Sequence, residues 1–209
     1  MGDEFVIGTA EQGSFAGFPR TGVDVDGNFI VVWQEIDIPG LPDQDDSGIT
    51  AQRRNIDGEP IGAQFQVNTT IEDRQKYPDV AVAPAGDFIV VWTDIDTAIF
   101  PPEGEIVAQL FDAEGQAVGG EFFVNSYTTG DQIFPRVAAD GDGNFVVVWE
   151  SDGSPGTDSV SESIQGRRIS AMGTLDPQFQ VNSYTTNRQL EPAIASAPDG
   201  NFYVTWRSF

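Results

Sequence analysis

The chain is 209 residues long, 39% apolar, without cysteine or histidine, and carries 33 acidic against 10 basic residues for a formal charge of -23. That balance excludes a nucleic-acid partner, because a phosphate backbone must be met by Lys and Arg, and the missing Cys and His leave oxygen as the metal donor, which suits calcium. No apolar run reaches the roughly 18 residues of a membrane span and Met1-Gly2-Asp3 does not open a signal peptide, so no membrane insertion is expected.

Tryptophans at positions 33, 92, 149 and 206 end four copies of one phrase, at a spacing of 57 to 59 residues. This is the signature of a repeat protein. In chain order, Glu4-Phe5-Val6-Ile7-Gly8 opens strand d, which recurs at Gln64-Phe65-Gln66-Val67-Asn68, Glu121 to Asn125 and Gln178 to Asn182. A polar loop follows, with Gln75, Gln132 and Gln189 each three residues before Pro78, Pro135 and Pro192; Pro19 is the first-unit equivalent. The proline starts strand a, since it holds its predecessor extended. A Gly-Asn or Gly-Asp turn leads into strand b, the tryptophan phrase, as a hairpin. Runs such as Phe-Val-Val-Val-Trp are too continuous for a half-exposed strand and require cover on both faces. Acidic b-to-c loops follow, then strand c at Ile49 to Arg54, Ile106 to Phe111 and Ile164 to Ile169. The fourth unit lacks c.

Four short strands per unit without helix predict an all-β, four-bladed β-propeller in one domain, with repeat units at about 4–54, 63–111, 120–169 and 177–209. Because b and d run parallel in an up-and-down meander, a last blade lacking c cannot close if c lies between them, so c is expected at an edge, in agreement with its exposed-looking arginines. This predicts the order d, a, b, c, with d innermost and a three-stranded last blade. The competing order a, b, c, d uses both tight turns as hairpins but needs a last c strand from elsewhere. A monomeric ring is expected; a larger ring from two chains is the alternative.

The string Gly-Asn-Phe-Val-Val-Val-Trp, the Arg-Arg of strand c and Phe122 to Pro135 resemble repeats of large bacterial secreted and surface proteins of the haemolysin-type calcium-binding, adhesin-like kind. The resemblance covers nearly the whole chain. It implies an extracellular or cell-surface location and a non-catalytic role in adhesion.

Two features offer sites. Asp24, Asp26 and Asn28, and likewise Asp140, Asp142 and Asn144, alternate oxygen donors as a calcium loop does, although Phe29 and Phe145 replace the glycine an EF-hand needs. Hairpin-turn chemistry accounts for the same residues. Acidic residues just after each tryptophan, Glu35, Asp94 and Glu150, share one face of a propeller with the loops that bear Gln75, Gln132, Gln189, Tyr127 and Tyr184, making that face the expected binding surface. The leading expectation is a non-enzymatic module that binds a glycan or surface protein, assisted by calcium. A self-assembling architectural unit is one alternative. A glycan-processing enzyme using paired carboxylates is another, although no repeat shows a carboxylate set that the others lack.

Overall fold

The computed structural model describes residues 4, 6–7, 15–36, 47–71, 73–98, 101–154, 156–158, 161–197 and 199–209. Within them the chain is all-β, with 14 strands in four antiparallel sheets. The first sheet is β1 (Phe15–Val23), β2 (Phe29–Ile36), β3 (Ser47–Arg54) and β4 (Pro60–Gln66). The second is β5 (Arg74–Val82), β6 (Phe88–Asp96), β7 (Glu103–Phe111) and β8 (Ala117–Phe123). The third is β9 (Gln132–Ala139), β10 (Phe145–Asp152), β11 (Glu162–Ile169) and β12 (Phe179–Gln180). The fourth pairs only β13 (Gln189–Ser196) with β14 (Phe202–Ser208).

The order within each sheet is therefore a, b, c, d, which corrects the expected frame. Strand c pairs on both sides and is buried, whereas β4 and β8, the d strands, are largely exposed. Turn chemistry explains why. At Asn55 to Glu59 the Asn55 Oδ1 accepts the Asp57 and Glu59 amides at 3.1 and 2.8 Å, so the chain folds straight back as a hairpin. The arginines of c do not blunt an edge; Arg167 donates to the Val124 carbonyl of the preceding sheet at 2.7 Å, and Arg53 donates to the Ala113 and Glu114 carbonyls of the following one. Successive a strands pack side by side, β1 on β5, β5 on β9 and β9 on β13, so they are innermost.

The core lies between sheets. Val32, Ile49, Val90 and Trp92 fill the space between the first and second, and Ile89, Val91, Val147 and Trp149 that between the second and third. A smaller set, Val146, Val148 and Ile164 against Ile194, Val204 and Trp206, joins the third and fourth. Trp33, Trp92 and Trp149 are buried as expected; Trp206 is only half-buried, because β14 has no strand on its outer side among the described residues.

Each complete sheet also contains a polar clamp at the Val-Asn pair ending the d segment. Asn68, Asn125 and Asn182 accept the amides of Ile49, Ile106 and Ile164 at 2.8 to 2.9 Å and donate to the carbonyls of Thr70, Tyr127 and Tyr184 at 2.9 Å. All three are buried, so one isoleucine amide near the start of each strand c is satisfied by a side chain. Asn125→Ala strands a buried amide and carbonyl, and a loss of about 1–3 kcal/mol in unfolding free energy is expected from denaturant titration; an unchanged midpoint would remove the clamp from the list of stabilising contacts.

Candidate active site between the third and fourth sheets

Strand alternation builds the site. On the face of β10 and β11 that looks toward the fourth sheet, Val146, Val148 and Ile164 form the apolar floor. Continuing up the same face come Glu150, Asp152 and, directly opposite Asp152, Glu162. Glu150 and Glu162 are thus diagonal cross-strand neighbours, about 7–8 Å apart at the backbone. They open into a cavity of about 670 Å³ also lined by Asp131, Phe134, Arg136, Arg188 and Glu191.

The two glutamates have opposite electrostatics. Burial at the top of the apolar floor pushes the Glu150 carboxyl up; the Glu191 amide, donating to its Oε1 at 2.6 Å, opposes this, while the charges of Glu162 and Glu191 reinforce it. Hydrogen bonding from Arg188 holds Glu162 below the usual carboxylate range, with guanidinium nitrogens 2.6 and 2.9 Å from Oε1, and Ser161 Oγ donates to Oε2 at 2.9 Å. One carboxyl thus keeps its proton more readily while its neighbour stays ionised.

The inner strands shape the cavity's inward edge. Each bulges at the residue before its proline, and Phe18, Tyr77, Phe134 and Glu191 there adopt φ of 54, 55, 55 and 59°. Left-handed backbone is costly for an aromatic residue, and its recurrence in four sheets makes the bulge part of the repeat. The Tyr77 ring lies 4.9 Å from Phe18 edge-on and 4.4 Å from Phe134, so three rings form one row that ends at the cavity.

Of the residues expected on the binding surface, Glu150 alone lines this cavity. Gln75, Gln132 and Gln189 are fully buried. Gln132 and Gln189 accept the indole N–H of Trp149 and Trp206 at 3.0 and 3.1 Å, and Gln75 donates to Asp94 at 3.0 Å. Glu35, buried, accepts from Thr50 Oγ1 at 3.0 Å; burial, opposed by the Gln75 hydrogen bond, raises Asp94 to about 6. Both follow their tryptophan by two residues and Glu150 by one, so alternation sends Glu150 to the opposite face of its sheet. Tyr127 is half-buried over Gly153, its hydroxyl 3.0 Å from where a Cβ would stand, and Tyr184 is exposed. Asp131, Glu162, Arg188, Glu191 and the aromatic row escaped sequence reasoning. Their signal was variation at fixed offsets from the repeated Gln and Pro.

The fold is a propeller-type assembly of antiparallel sheets, and the cavity lined by these carboxylates lies at the joint between its third and fourth sheets. No family model and no curated protein matches the chain. Among solved structures it is similar to an endo-arabinase from Bacteroides thetaiotaomicron VPI-5482, at 14% identity and TM-score 0.56 over 91% of this chain and 69% of that one. A family 117 glycoside hydrolase from the marine bacterium Zobellia galactanivorans gives 9%, 0.54, 97% and 69% respectively. An α-L-arabinanase of Penicillium chrysogenum, complexed with arabinobiose, gives 18% and 0.54 over 92% of this chain, which spans 57% of that one. At these identities the likeness shows the fold. These three proteins carry the names of glycan-cleaving enzymes, which corrects the expectation of a non-enzymatic module of the adhesin-like, calcium-binding-repeat kind.

The residues expected to hold calcium are occupied in their own turns. Asp24 Oδ1 accepts the Asp26 and Asn28 amides at 2.9 and 2.8 Å, and Oδ2 accepts the Asn28 side chain at 2.9 Å. Asp140 repeats this with Asp142 and Asn144. Burial alone would raise Asp140, but these hydrogen bonds hold it below the ordinary carboxylate range. The neutral Asn55 does the same work in its turn, and Arg53 and Arg54 share a cavity with Asp24, Asp26 and Asn28. Among the described residues there is no group of three or more carboxylates that could hold a metal ion; the hydrogen bonds within each turn account for these residues as hairpin-turn chemistry. Asp140→Ala is expected to cost about 1 kcal/mol, equally in calcium and in chelator. Thermal melts in both buffers check this, and a loss seen in calcium alone would return the turn to an ion site.

Proposed function

We propose that this chain is a glycan-processing enzyme that cleaves a glycosidic bond between Glu150 and Glu162. One observation carries the reading: two carboxyls on one face of one hairpin, opening into one cavity, have environments that push their proton affinities apart. That is the division of labour glycoside hydrolysis requires. Glu150 donates its proton to the glycosidic oxygen as the bond to the anomeric carbon breaks. Glu162, fixed by Arg188 and Ser161, is the ionised partner that attacks that carbon or takes a proton from the attacking water. Arg136, across the cavity, favours the charged form of Glu150 after it has given up its proton. The similar solved structures, named as arabinanases and a glycoside hydrolase, support the same chemistry. The extracellular or surface location implied by the repeat resemblance belongs to this proposal.

Glu150→Gln and Glu162→Gln are each expected to lower turnover of an arabinan oligosaccharide by about 100-fold or more. The rate should be bell-shaped in pH, the acid limb following ionisation of Glu162 and the alkaline limb loss of the Glu150 proton. Arg188→Ala should shift the acid limb upward, because the ionised Glu162 loses its partner. Wild-type rates in both glutamine variants would end the assignment.

The ring itself is read as four blades closed within one chain. Arg54 donates to the Val6 and Ile7 carbonyls at 3.0 and 2.6 Å, on the face of strand c from which Arg167 reaches Val124. Val6 and Ile7 fall in the first copy of the d phrase, so this contact supports reading that segment as the outer strand of a preceding blade. Native mass spectrometry is expected to give a monomer near 22.6 kDa; a stable dimer at micromolar concentration would replace this ring with a two-chain assembly.

A further inference from the structure

We infer that the row Phe134, Tyr77 and Phe18 is an aromatic platform that receives the sugar units next to the cleavage point, so that the substrate is a neutral glycan several units long. This deepens the glycan-cleaving reading and rests on it. The row begins at the cavity, which Phe134 lines beside Glu191, and runs along the innermost strands away from the third-to-fourth-sheet joint. Its rings do not belong to the apolar clusters between sheets. Phe18 leaves 47% of its surface exposed, and Tyr77 and Phe134 are only half-buried. The bulge before each proline turns these side chains away from the sheet-to-sheet core, a placement an aromatic ring gains only by adopting an unfavourable φ. Three of the four equivalent bulges carry rings, and the fourth carries Glu191 at the cavity mouth. A row of ring surfaces leading from a carboxylate pair suits a chain of sugar rings, whose C–H faces are apolar and whose hydroxyls remain in water.

Charge selects among such chains. Asp131, Glu150, Asp152, Glu162 and Glu191 line the cavity against Arg136 and Arg188, within a chain of formal charge -23. A uronic-acid or sulfated polymer would be repelled both on approach and in place. A neutral chain meets no such penalty.

The test is binding by the full chain carrying Glu150→Gln, measured by calorimetry with dimers and hexamers from arabinan and from cellulose and with a galacturonic acid hexamer. A neutral hexamer is expected to bind about tenfold or more tighter than its dimer, and the galacturonic acid hexamer not at all. Tyr77→Ala and Phe18→Ala should each remove most of the gain with length, and Tyr77→Phe should keep it. Phe18→Ala, at the exposed end of the row, provides the reading if Tyr77→Ala fails to fold. Equal affinity for dimer and hexamer, a gain that survives both alanine variants, or binding of no neutral hexamer overturns the platform. Turnover separates this from the preceding reading: cleavage that needs Glu150 and Glu162 without length preference sinks the platform alone, whereas length-dependent binding without such cleavage sinks the catalytic pair alone.

Discussion

Everything at the centre of this molecule depends on an inner strand that cannot run straight. A proline in strand a has no amide to give to strand b, and the residue before it is pushed out of register. In all four sheets the pairing breaks at this pair, between Gly17 and Arg20, Lys76 and Asp79, Ile133 and Arg136, and Leu190 and Ala193. The displaced residue takes a left-handed conformation that costs of order 1–3 kcal/mol, repaid by the cover that surrounding strands give. The repeat thereby offers four equivalent positions on its innermost strands, outside the sheet-to-sheet core. Three hold rings and one holds a glutamate, so a single backbone device supplies both the aromatic row and the mouth of the cavity.

Much of the fold was legible because repetition amplifies weak signals. The continuous apolar phrase from Phe145 to Trp149 required cover on both faces, and the structure buries it between two sheets. The Gly-Asn turns read as hairpins and are hairpins. Strand order was misjudged because the missing fourth c strand pointed to an edge, and because Arg53, Arg54, Arg167 and Arg168 looked like solvent-facing charge. Guanidinium groups can instead reach across a sheet joint to backbone carbonyls or aromatic rings, as Arg168 does over Phe202 at 4.5 Å. Sequence alone cannot tell a charged edge from a charged bridge.

The site was less legible, for a related reason. Repetition draws attention to what recurs, and what recurs here is structural: Gln132 and Gln189 on their indoles, Asn125 and Asn182 on strand c. Function sits where the copies differ. Glu150 takes the place held by Gln34 and Thr93, and Glu191 that held by Phe18, Tyr77 and Phe134. Each departure is a single residue, with no motif around it. The acidic residues after the tryptophans looked equivalent only while their one-residue offset was ignored, and in a strand one residue is a change of face.

The position of the cavity follows from the weakest joint. Between the first three sheets the apolar clusters are large. Between the third and fourth, the apolar floor stops at Val148 and Ile164, and the fourth sheet brings only two strands, with β14 half-exposed. Carboxyls placed above such a floor lose part of their hydration, which raises Glu150, without being sealed from a ligand. At the joint between the second and third sheets the same glutamates would have to stand at Thr93, Gly104 and Phe134, and Gly104 has no room for a side chain, since an added Cβ would meet Ile133 and Thr93 at 2.8 and 2.9 Å. Confined to the thin joint, their mutual repulsion is met by Arg188 on Glu162, Arg207 on Glu191 at 3.5 Å and the charge of Arg136 near Glu150. The joint that contributes least to holding the sheets together is the one that can accommodate a charged, solvent-connected reaction site.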